Sequence, residues 1–261
     1  MADNLQKNSP APSPTLAEAL RRCRWACDLS AAELARVEAG IFERAIPAGH
    51  YACRKGEPVE HWLGVIDGLL KVSSDLDSGK TATLTGVSPG GWFGEGSMLK
   101  TEPRKYDAVA LRDSRVAHMR RETFQWLLDH SIGFNRHLLV QLNERLGQFI
   151  GLLESERLLD TDARVARCLA SLFNPVLYPG LGRHLAISQA ELGYLAGVSR
   201  QRVNRALKVL EDAGCLSIEY GGISIRDLEG LRHFVSMAHP KKTGDQINPT
   251  PVNSPLAIHL S

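Results

Sequence analysis

The chain has 261 residues, 43% of them hydrophobic and 23% charged, which is enough apolar material for one or two packed domains. Its 31 Lys and Arg nearly balance 29 Asp and Glu, so a net charge of +2 makes any nucleic-acid surface local rather than global. No stretch approaches 18 consecutive apolar residues and the N-terminus has no apolar run of signal-peptide length, so the sequence predicts neither membrane span nor export, and a cytoplasmic protein.

Residues 1–14 are polar and rich in Pro and Ser, and predict disorder. Residues 15–38 have helical patterning, with Ser30 as an N-cap and Gly40 as a stop. Within this stretch Cys23 and Cys27 stand i, i+4 apart, a spacing that could place both on one helix face. Without two further ligands nearby they read as buried or incidental thiols. With Cys53, Cys168 and Cys215 the count is five, and an odd number without an export signal points to reduced thiols.

Residues 41–119 change texture. Short β-branched runs such as HWLGVIDG, LLKVSSDL and KTATLTGV are punctuated by Gly49, Gly56, Gly68, Gly79 and Pro89-Gly90-Gly91. Many short strands at regular spacing predict an antiparallel barrel or sandwich. From 121 the chain turns helical, first in RETFQWLLDHS and then over 134–158. Leu139, Leu142, Leu146, Phe149 and Leu153 recur at 3,4,3,4 spacing, the seam of about two heptads, with Ile150 and Leu152 apolar beside it. The seam reads as a homodimer interface. The alternative is a helix packed on its own domain.

RVARCLASLF is again helical and NPVLYPGLGRH is a loop. Two helices around a tight turn follow. Ser188 and Glu191 make an S-x-x-E capping box for the first, Gly197 ends it, and Ser199 caps the second. In the second, Val203, Ala206, Leu207 and Leu210 share a face that must pack, while Arg200, Gln201, Asn204, Arg205 and Lys208 line the other. CLSIEYGGISIRD then predicts a hairpin around Gly221-Gly222. This is a helix-turn-helix with a two-stranded wing, whose exposed helix face fits a DNA major groove. Arg offers paired donors to guanine, and Gln and Asn match adenine, which selects Arg200, Gln201, Asn204 and Arg205 as base readers. Arg202 and Lys208 are assigned to phosphates. The bland alternative is a solvated basic face. The tail 239–261 predicts disorder.

At this point the sequence resembles the Crp/Fnr family of bacterial transcription regulators, over about residues 20–235. The resemblance rests on ISQAELGYLAGVSRQRVNRALKVLE, on GGWFGEGSML, on RKYDAVALRDSRVAHM, and on the long helix with the 160–165 stretch after it. It implies an α+β chain with an N-terminal antiparallel β-roll sensor domain of cyclic-nucleotide-binding type, a long dimerisation helix, and a C-terminal winged helix-turn-helix. The corresponding boundaries are 15–133 for the sensor with flanking helices, 134–158 for the dimerisation helix and 160–238 for the DNA-binding domain. It further implies a homodimer on a two-fold duplex site, with RNA polymerase as a candidate partner. Arg200, Gln201 and Arg205 match the family's base-reading positions. Many relatives carry Glu where Gln201 stands, which leaves room for a different half-site.

In relatives that bind cyclic nucleotide, a Gly-Glu pair holds the ribose and an Arg-Ser pair the phosphate. Gly94 and Glu95 match the first pair, and Arg104 matches the arginine if one residue is deleted from the 96–103 loop. Lys105 replaces the serine, and the adenine-contacting hydroxyls of the long helix fall on Phe149 and Ile150, which cannot satisfy an adenine amino group. Cyclic AMP is therefore disfavoured. A different nucleotide-type effector such as a cyclic dinucleotide, or an empty sensor, stays open, as does an ion pair between Glu95 and Arg104 that merely closes a loop. Cys23, Cys27 and Cys53 lack the spacing of the family's iron–sulfur sensors, and none of His50, His61 and His118 is singled out as a haem ligand.

Three function classes follow. The first is a DNA-binding regulator modulated through its sensor domain, and the second a stand-alone nucleotide-sensing module acting on a partner protein. The third is an enzyme, for which no nucleophile, metal set or phosphate cradle is visible. No catalytic or metal-ligating residue is assigned and no cofactor is expected beyond an effector.

Overall fold

The computed structural model describes residues 13–75, 81–158, 160–179 and 181–234, with backbone alone for 75 and 154–158. The expectations of disorder for 1–14 and 239–261 thus lie outside the described residues, apart from positions 13 and 14. Two capped helices open the chain, α1 (Leu16–Arg21) and α2 (Ala31–Ala39). Thr15 with Glu18, and Ser30 with Glu33, form reciprocal capping boxes. The helical patterning predicted over 15–38 is therefore interrupted. Ser30 restarts a helix, and between the two a 3₁₀ turn at Arg24–Ala26 drops Trp25 into the core. Cys23 is buried and Cys27 exposed at either end of that turn, so they share no helix face.

Eight strands follow: β1 (Ile41–Ile46), β2 (Tyr51–Cys53), β3 (His61–Asp67), β4 (Leu70–Asp75), β5 (Thr81–Val87), β6 (Trp92–Phe93), β7 (Asp107–Ala110) and β8 (Ser114–Arg120). They form two antiparallel four-stranded sheets, ordered β1-β8-β3-β6 and β2-β7-β4-β5. Alternation along β3 and β8 explains the layering. Leu63, Val65, Phe93 and Val116 face the second sheet, where Val72, Val87 and Ala108 complete one core. Trp62, Ala117 and Met119 face the other way, onto helices. A short helix α3 (Glu95–Lys100) leaves β6 through Gly94, whose φ of 92° is a left-handed conformation suited to glycine.

The helical layer is α1, α2, α4 (Arg121–His130) and the first turns of α5 (Ile132–Leu158). Its core is aromatic. Trp25, Trp62, Trp92, Phe124 and Phe134 meet at centroid distances of 4.5–6.0 Å, mostly edge to face. Each fully buried ring of this kind stabilises the fold by about 2–3 kcal/mol through area alone.

The C-terminal unit comprises α6 (Thr161–Leu172), β9 (His184–Leu185), α7 (Gln189–Ala196), α8 (Arg200–Asp212), β10 (Leu216–Glu219), β11 (Gly222–Ile225) and α9 (Leu228–Arg232). Its sheet order is β10-β11-β9, so residue His184, read as loop from sequence, adds a third strand to the wing. The hairpin turn is Tyr220-Gly221 rather than Gly221-Gly222, because Glu219 pairs with Gly222. Gly221 supplies the positive φ of 80° that a two-residue turn requires.

This unit docks on the sensor along β5. A Cβ on Gly86 would lie 2.6 Å from Leu172 Cδ2 and 3.0 Å from Leu195 Cδ1, so the missing side chain is what lets the two cores meet. Tyr178 donates its hydroxyl to the Gly86 carbonyl at 2.8 Å. Across the same junction Arg112 grips Glu191 in a bidentate pair at 2.9 and 2.8 Å.

Candidate functional site

The strongest surface feature is α8. Ser199 accepts from the Arg202 amide and starts the helix. Val203, Ala206, Leu207 and Leu210 are buried against α6, α7 and the wing, as 3.6-residue periodicity requires. That packing forces the opposite face outward. Arg200, Gln201, Arg202, Asn204, Arg205 and Lys208 are all exposed. No hydrogen bond or ion pair within the described residues engages the side chains of Arg200, Gln201, Asn204, Arg205 or Lys208. Arg202 differs, since its charge acts on Asp162. On α7, Ser188 accepts from the Glu191 amide at 3.2 Å, and Glu191 answers the Ser188 amide at 2.6 Å. Gly197 closes α7 in the left-handed conformation at φ 65°. Ser188 and Ser199 therefore stand at two exposed helix N-termini next to the cationic face, where unpaired amides favour anions.

The sensor cradle is the reverse. Gly94 and Glu95 leave β6 together, and Glu95 is 3% exposed. Its partner is Arg145 of α5, Nε to Oε1 at 2.9 Å, and not Arg104. Arg145 also donates to the Trp92 carbonyl at 2.5 Å, as does Gln141 at 3.2 Å. Arg104, 5% exposed, donates Nη2 to the His61 carbonyl and lays Nη1 against Gly94, where any side chain would collide. Arg104 Nη1 and Glu95 Oε2 are buried without a partner. Lys105 turns outward to Glu102 at 2.9 Å. The fold thus gathers Gly94, Glu95 and Arg104, and separates Lys105 from them. An ion pair between Glu95 and Arg104 does not form. Arg145 is the residue that sequence reasoning missed. It has no local motif, and only packing of a helix 50 residues away brings it to Glu95.

Beside the cradle, Phe42, His61 and His118 meet at 5.2–5.5 Å, with Phe42 stacked on His118 and His61 edge-on to both. Burial, with the charges of His61, Arg44 and Arg104 nearby, pushes the His118 pKa down to about 3, so the ring stays neutral. Burial likewise pushes the Cys23 and Cys168 thiols up to about 12 and Cys53 to about 11, which suppresses thiolate chemistry.

Along α5 the predicted seam stands open to solvent. Leu139 is 68% exposed, and Leu142, Leu146, Phe149 and Leu153 are exposed with it. Ile150 widens the stripe. Among the described residues no helix is long and apolar enough to cross a membrane.

Comparison with known proteins agrees with this architecture. The cyclic nucleotide-binding domain family matches residues 43–131 and the Crp-like helix-turn-helix domain family matches 163–234, together more than half of the chain. The chain is 29% identical over 189 residues to a CRP-like cAMP-activated global transcriptional regulator of Mycobacterium tuberculosis, covering 71% of this chain and 84% of that one. FixK2 from Bradyrhizobium japonicum shares the fold with a TM-score of 0.60 at 20% identity, over 76% of this chain and 99% of that one. The c-di-GMP responsive global regulator CLP of Xanthomonas campestris aligns with a TM-score of 0.52 at 25% identity, over 75% and 99%. With a cyclic-nucleotide-binding fold ahead of a Crp-like helix-turn-helix, the chain belongs to the Crp/Fnr family of DNA-binding transcription regulators.

Proposed function

We propose that this regulator reads a two-fold duplex site through α8, with Arg200, Gln201, Asn204 and Arg205 at base edges and Arg202 and Lys208 on phosphates. The exposed α8 cations without counter-charges carry this reading, because a packed helix that leaves them unpaired awaits an external polyanion. The helix N-termini that begin at Ser188 and Ser199 position the DNA backbone. Dimerisation through Leu139, Leu142, Leu146, Phe149 and Leu153 removes the apolar stripe from water and sets two α8 helices about 34–36 Å apart, one turn of DNA. The dimer then acts on transcription with RNA polymerase.

The effector is not cyclic AMP. Arg145 already pairs with one oxygen of the buried Glu95, Lys105 is turned away, and the α5 positions that the resemblance aligns with the adenine contacts are the apolar Phe149 and Ile150. A larger anionic nucleotide such as a cyclic dinucleotide, the ligand class named for the Xanthomonas relative, would have to displace Arg145 to reach Glu95 and Arg104.

Duplex selection with the purified protein tests both parts, run alone and then with cyclic AMP, cyclic GMP and cyclic di-GMP. The expected result is an inverted repeat with half-sites about 10 base pairs apart, unchanged by cyclic AMP. Absence of any sequence preference under all four conditions overturns the assignment.

A further inference from the structure

The described surface holds a cleft of about 510 Å³ that the reading above leaves unused. It lies between α5, α6 and α9, with the 174–176 turn as its rim. We infer that this cleft binds a small metabolite carrying a phosphate or carboxylate, and that the ligand fixes the angle between the long helix and the DNA-binding unit.

Arg167 carries the argument. It projects from α6 into the cleft, half-buried, with Nε wholly buried and without a partner. It forms no ion pair with any described residue. A guanidinium drawn partly out of water without a counter-anion is costly, and an anionic ligand removes that cost. The volume is that of a metabolite site rather than a packing defect.

The opposite wall explains two glycines. Gly147 and Gly151 stand one turn apart inside α5, where each costs about 1 kcal/mol of helix propensity relative to alanine. A Cβ on either would meet nothing within 4 Å among the described residues, so close packing against α6 or α9 is not their purpose. At 100° per residue, Glu144, Gly147 and Gly151 lie about 100–160° round the helix from Leu146, away from the dimer seam. A partner helix on the seam therefore leaves the cleft open. Bare backbone on this wall makes room for a flat body, with Ala170, Pro175 and Val176 supplying apolar surface.

The remaining groups suit hydrogen-bond donors on that body. Asn174 donates to Glu144 Oε2 at 3.0 Å, which holds the carboxylate in place and leaves its other oxygen to accept. Gln148 makes a long bond, 3.4 Å, to the Ser171 carbonyl, which a ligand can replace. Because the walls belong to α5 on one side and to α6 and α9 on the other, a bound molecule bridges the two units. Affinities for ligand and DNA are then coupled reciprocally.

The control over DNA rests on the proposed DNA-binding function, whereas ligand binding itself does not. Titration calorimetry on the full chain with AMP, citrate and inorganic phosphate separates phosphate from carboxylate recognition. At least one of AMP and citrate is expected to bind, with inorganic phosphate weaker. Arg167→Gln and, independently, Gly147→Leu should each raise the Kd about tenfold or more. Arg205→Ala should leave ligand binding unchanged, so a failure to bind DNA does not obscure the result. In wild type the bound ligand should shift operator affinity about fivefold or more, and in Arg167→Gln it should not. Failure of all three probes to bind at millimolar concentration overturns the site, as does binding that both substitutions leave intact.

Discussion

The recognition helix and the sensor cradle hold comparable charged motifs and treat them in opposite ways. On α8 the cations stand outside an amphipathic helix, and among the described residues only Arg202 has a charge partner, Asp162. In the cradle Glu95 and Arg104 are 3% and 5% exposed, and Arg145 is tied to Glu95. An exposed charge is a free ligand-binding group by default. A buried charge is already half of some interaction, and its availability depends on what the rest of the fold brings to it.

Removing Arg145 tests that difference most severely. Arg145→Met should cost about 3–5 kcal/mol by leaving the Glu95 carboxylate buried and unpaired. Denaturant unfolding reads the loss. The double variant Glu95→Gln with Arg145→Met should recover most of it, since no unpaired carboxylate then remains to be desolvated. If the single variant is as stable as wild type, the cradle is open to water and the contrast with α8 disappears.

On the exposed side the effects belong to binding and not to folding. Arg200→Ala or Arg205→Ala should cost about 1–3 kcal/mol per half-site in operator affinity and relax specificity at one base pair. Lys208→Ala should weaken all duplexes alike and lower the salt dependence by about one ion per protomer. Unfolding midpoints of all three should match wild type, because none of these side chains has a described hydrogen-bond or ion-pair partner.

How much of this was visible in the sequence follows the same division. The helix-turn-helix was legible because its devices are local. Ser188 with Glu191, Gly197, Ser199 and the spacing of Val203, Ala206, Leu207 and Leu210 each act within one turn or one helix. The seam on α5 was legible as a heptad, and its residues stand exposed. The strand texture predicted an antiparallel barrel or sandwich, although sheet order depends on pairings such as β3 with β8, more than 45 residues apart. The start of α2 was legible in the Ser30 cap, whereas the 3₁₀ turn that buries Trp25 carries no proline or glycine to announce it. The Arg145 to Glu95 and Arg112 to Glu191 pairs span 50 and 79 residues, and no local pattern announces either.

His118 gives the cradle a pH signature that α8 lacks. Unfolded, its ring takes up a proton near pH 6.5. Folded, burial holds the pKa down at about 3. Between these values the unfolded state binds more protons, so stability rises with pH and falls on acidification. From this one group the loss is about 1.4 kcal/mol per pH unit below 6.5. Urea midpoints at pH 7 and pH 5 should separate wild type from His118→Leu, whose profile is flatter. Equal slopes would mean that the ring is solvated and the region around Arg104 is already open.

The smallest expected effect concerns the junction between the two regions. Arg112 and Glu191 are 30% and 13% exposed, so solvent screens the pair despite its bidentate geometry. Arg112→Ala should cost about 0.5–1 kcal/mol. Glu191 keeps its bond to the Ser188 amide in that variant, so the start of α7 survives and the loss reports docking alone. A double-mutant cycle with Glu191→Gln isolates the pairwise coupling, which should diminish as salt is raised. Zero coupling would leave Gly86, Leu172 and Leu195 as the attachment of the DNA-binding unit to β5. A measurable coupling means that the first helix of the DNA reader is tied to the sensor by a specific charge pair. That charge sits in the loop that joins β7, on the sheet that holds β5, to β8 on the other sheet, so movement of either sheet reaches α7 directly.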